Sequence, residues 1–480
     1  MMAEPASVLK EYAPTRRPQQ FAVLILLLVF GYVIIGIPSF DRNAPLASEM
    51  NQEYVSPVNR FIWLAFFAAC LPFAISSGQK LRRLLLAAWP LVGLHVYFLL
   101  SATWALDPST SARRILFAWV QILVAASLVT TIKKAQTLHK CIALICFGGA
   151  VADLLIWIVR PGYAMTSEGL AGFQEQKNSA GLLMMYGLLA TGSFLLSWLS
   201  TGRRWVYVAE CVLMFGLLLA TKSKTSLVIV LLMPMLLAAG YRLRTASEVM
   251  QIFVAAFAVG IIGMSILAYM TWCAMSGQDI WSVLQGITFT SRTDIWSFML
   301  DEISQRPILG AGYSSFWSIK PSLQPSLKTS MWFGSEANIN EAHNGYLDLL
   351  ATGGCVGFVL GIFVVGRYLY LSFKAIKYNR HRDKRASAFF SPETAIFHFS
   401  FMLALIIHNF TESNLFTGSG MIMVCFYFIA FDLEKWELYR KSDEDGVLSD
   451  DERARLGQKK KSFRSEHQPG TDIDARADPV

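Results

Sequence analysis

Polar residues beside two apolar runs carry the chemistry this sequence can offer. His343 and Asn344 stand in "NEAHNGYLDLLATGGCVGFVLG", Asn340 to Gly361, where the chain is about to enter a long apolar stretch. Further on, "ALIIHNFTESNLF" holds His408, Asn409, Glu412 and Ser413. "EAHNGYLDLL" reads as a helix start. The free N–H groups and dipole of such a start disfavour a protonated imidazole. His343 is therefore expected to be neutral, the form a general base needs to take a proton from a hydroxyl. The plainer reading is a histidine that hydrogen-bonds a loop carbonyl. Asn344 either orients a neighbouring group or caps the helix. Glu412 is a candidate acceptor-binding carboxylate or a solvated one.

A second set of candidates is basic. Lys222 and Lys224 lie in "LLLATKSKTSLVIV", a short turn between two apolar runs. Arg113 and Arg114 open an apolar run, and Lys177 and Asn178 open another in "GFQEQKNSAGLL". Arg292 is in "FTSRTDIWSFML" and Arg306 in "SQRPILGAGYSSFW". Cations beside hydrocarbon are costly unless they meet water or an anion. Arg113, Arg114 and Lys177 also read as residues that snorkel to headgroups, and Arg306, before a proline, as one that shapes its loop. Lys222, Lys224, Arg292 and Arg306 together suit a diphosphate, which Arg meets with a fork and Lys with a point charge.

The elements that must position these residues are membrane helices. The chain is 54% hydrophobic and 16% charged, where soluble domains carry about 25% charge. Twelve apolar segments approach the ~20 residues needed to cross a bilayer: about 21–38, 61–78, 84–104, 113–132, 141–159, 179–198, 205–220, 225–240, 249–275, 344–372, 393–410 and 414–433. The seventh and eighth also read as one broken or re-entrant hairpin. The first run lacks a small-residue cleavage site and reads as a retained helix. The expected fold is thus all-α and polytopic, with about 12 transmembrane helices.

With the N-terminus (Lys10, Arg16, Arg17) in the cytoplasm, each short cytoplasmic loop is basic: Lys80 to Arg83, Lys133 to Lys140, Arg203 and Arg204, Arg242 and Arg244, and "KAIKYNRHRDKR" from Lys374. That follows the positive-inside tendency and absorbs the net charge of +8 without invoking nucleic acid. Both termini are then cytoplasmic. The organisation is a cytoplasmic segment 1–20, helices 1–9 over 21–275, a large external segment 276–342, helices 10–12 over 343–433, and a disordered cytoplasmic tail 434–480. "QKKKSFR" in that tail is solvated or touches anionic lipid.

In the external segment "SRTDIWSFMLDEIS" places Ile295, Phe298, Met299 and Ile303 at helical spacing and reads as an amphipathic helix stopped by Pro307. Gly310 and Gly312 allow close backbone approach. Trp281, Trp296, Trp317 and Trp332 suit either sugar rings or the membrane interface. The seven cysteines form no CxxC and no metal-ligand spacing, and read as small apolar residues. No P-loop or Rossmann pattern and no internal repeat is present.

Taken in order, "GFQEQKNSAGLL", "TKSKTSL", "SRTDIW", "RPILGAGYSSFW", "EAHNGYLDLLATGGCVG" and "HNFTESNL" resemble the O-antigen ligase and Wzy-type polysaccharide polymerase family, closest to its ExoQ-like exopolysaccharide branch. They span roughly Gly172 to Leu415, about half the chain. The resemblance implies a glycosyltransferase C-like membrane enzyme of the inner membrane whose active site faces the periplasm. It implies an undecaprenyl-diphosphate-linked oligosaccharide donor and a glycan acceptor, with no metal, cofactor or nucleotide sugar. By resemblance Lys224 and Arg292 contact the diphosphate, with Lys222 and Arg306 as further candidates, and His343 acts on the acceptor hydroxyl. Asn344, Glu412, Trp317, Lys177 and Asn178 are candidates for the glycan or acceptor. Where ligases usually carry an "SR" pair this chain has Ser223-Lys224, which keeps the charge and loses the fork.

The expected reaction is polymerisation of lipid-linked repeat units, with partners in membrane lipid, a chain-length regulator and export machinery. Transfer of a finished glycan to a lipid or protein is the first alternative. A flippase of lipid-linked glycan is the second, disfavoured because the suspicious residues sit at the rim rather than at mid-membrane.

Overall fold

A computed structural model describes residues 16–36, 57–174, 176–196, 204–243, 292–334, 339–378, 389–416 and 420–442, with isolated positions between 246 and 276. In chain order the main helices are α1 (Arg16–Phe30, continued by a π turn Gly31–Ile35), α2 (Pro57–Ser76), α3 (Gly78–Ala87), α4 (Trp89–Ser101), α5 (Pro108–Thr131), α6 (Ala135–Val159), α7 (Lys177–Leu196), α8 (Arg204–Thr221), α9 (Lys224–Leu243), α10 (Arg292–Gln305), α11 (Gly345–Tyr378), α12 (Pro392–His408) and α13 (421–442). A two-stranded antiparallel hairpin, Met165–Thr166 with Gly169–Leu170, follows α6.

Among the described residues seven helices are long and apolar enough to cross a membrane: α1, α2, α5, α6, α7, α8 and α11. α3 and α4, bent by 84° at Ala88, make an eighth candidate; the sequence expected one helix over 84–104. The apolar part of α9, Lys224–Gly240, and α12 are shorter. α8 and α9 are two helices joined by Lys222 and Ser223. The expected span 249–275 (apart from isolated positions), Trp281 and the tail beyond 442 lie outside the described residues.

Large apolar side chains face outward on these helices, among them Phe61, Ile75 and Trp205. That is the pattern of helices whose solvent is hydrocarbon, where apolar exposure costs nothing. Small residues let the helices close up. A Cβ on Gly181 would stand 2.5 Å from Ser223 Cβ, and one on Gly187 2.5 Å from Met214 Sδ. α7 therefore packs tightly against α8 and the turn after it.

The tail begins later than 434. α13 continues to 442 because its last turns are tied in: Arg367 makes a bidentate pair with Glu434, Lys374 and Arg440 meet Glu437, and Lys435 Nζ donates to the carbonyls of Val129 and Ile132 at the end of α5. This belt closes one end of the bundle. The turn 222–223, the segments 292–334 and 339–343 and the loop 409–416 meet at the other.

Within 292–334, α10 forms as its periodicity requires. Ile295, Phe298, Met299 and Ile303 are buried against Phe316, Trp317 and Phe333. The turn after it docks onto a break in α11. Gly354 has φ +60°, and Cys355 N–H donates to Pro307 O at 2.8 Å. Gly310 (φ +68°) approaches so closely that a Cβ there would lie 2.4 Å from Gly354 N.

Candidate active site

The start of α11 is built against the 409–413 loop. Gly345 N–H donates to the carbonyls of Asn409 and Glu412 at 2.9 and 3.1 Å. A Cβ on Gly345 would stand 2.1 Å from Asn409 Oδ1, so only glycine permits this approach. Asn344 N–H donates to Ser413 Oγ at 3.0 Å, and its Oδ1 accepts from Tyr346 and Leu347 N–H at 3.1 and 3.2 Å. Asn344 is thus the N-cap, the plainer of its two expected roles. On the other flank, Ala342 N–H donates to Asp348 Oδ2 and Ala342 O accepts from Trp296 Nε1.

His343 lies between these fixed residues with φ +48°. Five non-glycine residues adopt positive φ among the described residues: Lys222, Ser314, Ser318, His343 and Phe416. All five are in loops at this end of the bundle. Such conformations cost of order 1–3 kcal/mol and persist only where the surroundings impose them.

One of the expected cations contacts the same loop through its side chain. Arg292, the first residue of α10, donates from Nη1 to Thr411 O at 2.6 Å, and its Nη2 lies 3.4 Å from Glu412 Oε1. Thr225 Oγ1, next to Lys224, is 3.1 Å from Thr411 Oγ1. Lys224 opens α9 with its side chain exposed, and Lys222 is exposed in the turn before it. A helix N-terminus favours anions and disfavours cations. Lys224 stands at such a terminus, the first residue of α9.

The electrostatics correct one expectation. His343 Nδ1 is 2.8 Å from Glu341 Oε1 and 3.4 Å from Glu412 Oε2. Hydrogen bonds to Glu341 and then Glu412 push the imidazole up to about 9, against opposing burial and the nearby Arg292 charge. The ring is therefore cationic at neutral pH, because two carboxylates outweigh the helix dipole. Burial alone would raise Glu412; the His343 hydrogen bond and the charge of Arg292 win and hold it below the usual range. Ionised carboxylates only accept, so Nδ1 carries hydrogen and Nε2 is the ring atom left for other chemistry.

Other expected site residues are placed differently. Lys177 Nζ pairs with Glu168 at 2.9 Å, at the hairpin that packs on the end of α8; Asn178 is half-buried in the first turn of α7. Arg306 is exposed in the turn docked on Gly354, about two and a half helical turns along α11 from His343. Trp317 is buried, with Nε1 donating to Asp348 Oδ1 at 2.6 Å, which makes it a wall rather than an open stacking face. Arg114 donates to the carbonyls of Trp317 and Ser318 at 3.0 and 2.6 Å and so holds the external loop. Sequence reasoning missed Glu341, although a carboxylate two residues before a histidine was a usable signal. It also missed Thr411 and Asp348, whose roles depend on approaches between distant segments.

Glu341, His343 and Glu412 bring their ligand atoms within 4.8 Å of one another. One imidazole and two carboxylates can take a divalent ion. As folded the three are satisfied by each other, and Arg292 already supplies Glu412 with a cation.

Residues 209–362 match the Wzy_C family model, described as O-Antigen ligase. This part of the chain is of the O-antigen ligase/Wzy-type family. The match covers about a third of the chain and contains Lys224, Arg292, Glu341 and His343; Glu412 lies beyond it. None of the curated proteins matches the chain. O-antigen ligase-type proteins are ligases and polymerases of glycosyltransferase kind, which implies lipid-linked glycan substrates and a multi-pass membrane setting.

Proposed function

We propose that the protein is an ExoQ-like polysaccharide polymerase that joins undecaprenyl-diphosphate-linked oligosaccharide repeat units at the periplasmic face of the inner membrane. The observation that carries this reading is the convergence of His343, Glu412, Arg292 and the Lys224 turn on one loop. Each member belongs to a different segment of the chain.

In this reading the donor diphosphate rests against Lys224 and Arg292, with Lys222 at the rim, near the N-termini of α9, α10 and α11. Helix N-termini are good phosphate sites. The acceptor hydroxyl approaches His343 Nε2. In the fraction of molecules whose ring is neutral, which grows as pH rises toward about 9, the acceptor oxygen bonds to the anomeric carbon, the bond from that carbon to the diphosphate oxygen breaks, and the hydroxyl proton passes to the unprotonated Nε2. Glu341 and Glu412 stabilise the imidazolium that forms. Lys224 and Arg292 offset the charge growing on the departing diphosphate, where one well-placed donor contributes about 3–4 kcal/mol. Single displacement inverts the anomeric centre. No step calls for a metal ion. A chain-length regulator and export machinery complete the expected partners.

The test is reconstitution. Purified protein in detergent, given lipid-linked repeat units, lengthens them into a ladder of longer glycans. A product one donor glycan longer on a foreign lipid or protein acceptor would instead mark a ligase, and no transfer at all would overturn both.

A further inference from the structure

Beside His343 lies a separate cavity of about 250 Å³, lined by Ser318, Asn340, Glu341, Thr352, Ser413 and the Trp317 indole, with Arg114 and Asp348 in its walls. Its walls are fixed before any ligand arrives. Arg114 is spent on backbone carbonyls of the 314–318 loop, and Asp348, buried, is spent on Trp317 Nε1 and Ala342 N–H. Ser318 Oγ donates to Asn340 Oδ1 at 3.1 Å across the rim. The positive φ of Ser314 and Ser318 shows that the loop is held in this shape against its own preference.

The lining mixes hydroxyls, an amide and two carboxylates with one aromatic side chain, the complement of a neutral polyol. Two carboxylates in the lining and an occupied guanidinium make it a poor phosphate site. It is smaller than the ~300–1,000 Å³ of sites for drug-sized ligands, which limits it to about one sugar ring. Its position matters most. Glu341 lines the cavity and also places Oε1 2.8 Å from His343 Nδ1. Ser413, on the same wall, accepts the Asn344 N–H next to the histidine.

We propose that this cavity is the acceptor subsite: it takes one uncharged sugar residue of the acceptor glycan and presents a hydroxyl of that residue to His343 past Glu341. The assignment rests on the transferase reading above and names the part of the site that reads the acceptor. Glu341 then has two duties, bonding the sugar and setting the proton affinity of the imidazole.

The experiment uses the purified full chain in lipid nanodiscs and a diazirine-bearing oligosaccharide made by partial hydrolysis of the producing cell's own extracellular polysaccharide. Photolysis is expected to label peptides containing 314–318 and 340–341. Thr352→Phe, which fills the cavity from α11, and Asn340→Ala, which removes a rim group without adding bulk, should each lower that labelling about tenfold, as expected for losing one or two hydrogen bonds to a ligand. Labelling elsewhere, absence of labelling, or labelling unchanged in both variants would overturn the assignment. Transfer from lipid-linked donor, measured on the same wild-type preparation, reports separately on the transferase reading.

Discussion

Glu412 bridges His343 and Arg292: Oε2 lies 3.4 Å from His343 Nδ1 while Oε1 lies 3.4 Å from Arg292 Nη2. One carboxylate thereby links the proposed proton acceptor to the proposed diphosphate contact, from a loop that is also bonded to the first residue of α11. Glu412→Gln keeps the size and removes the charge. It is expected to reduce transfer by at least about tenfold while leaving the amount of protein in the membrane unchanged, the direction expected for an uncompensated Arg292 and a less well-oriented imidazole. Quantitative transfer assays beside immunoblots of the membrane fraction check this.

The pH dependence follows from the two carboxylates. His343 is raised to about 9, so its neutral, proton-accepting form grows as pH rises through that value. The rate is expected to rise with pH toward about 9 in the wild type. Glu341→Gln removes the largest raising influence, so the rising limb should move to lower pH. Rate–pH profiles of both proteins measure it; a limb that stays in place would separate the rate from this imidazole.

Lys224 offers a point charge at the membrane rim. Lys224→Arg keeps the charge and should retain most activity, whereas Lys224→Ala should raise the donor concentration needed for half-maximal rate by about tenfold or more, as expected for one lost charged contact of about 1.5–3 kcal/mol. Equal losses in both variants would remove the charge-based role.

Asn344 tests positioning apart from chemistry. As an N-cap its replacement by alanine should cost about 1 kcal/mol of stability and loosen His343, while Asn344→Ser restores the cap and much of the rate. Thermal unfolding of the purified variants, read against their rates, decides whether the two effects travel together.

Metal independence is the simplest to check. Chelation with EDTA is expected to leave transfer unchanged, because the proposed steps use only the imidazole of His343 and the charges of Lys224 and Arg292. Loss of activity that added divalent ion restores would turn the same three residues into a metal centre.

What could be seen in the sequence follows from the range of the interactions. α10 was legible because its burial depends on 3.6-residue periodicity alone, and Gly310 because a glycine next to a proline-led turn signals close approach. The apolar helices were legible by length, but the 84° bend at Ala88 was not, since both halves remain apolar. The protonation of His343 was misjudged for a related reason. The dipole of its own helix was weighed while the larger influence, Glu341 two residues before it, was readable and overlooked, and Glu412 arrives from 69 residues away through the docking of one loop on another. Trp317 and Lys177 were singled out as candidates for the glycan or acceptor. Their partners, Asp348 and Glu168, give them structural duties that spacing does not reveal.

The central claim is that His343 takes the acceptor proton. The most direct measurement is glycan transfer by purified His343→Ala protein given lipid-linked donor, with its membrane level and donor binding measured in parallel. The account predicts a loss of about 10²–10⁴-fold in rate with donor still bound. A well-folded His343→Ala protein that extends glycans at the wild-type rate would contradict it.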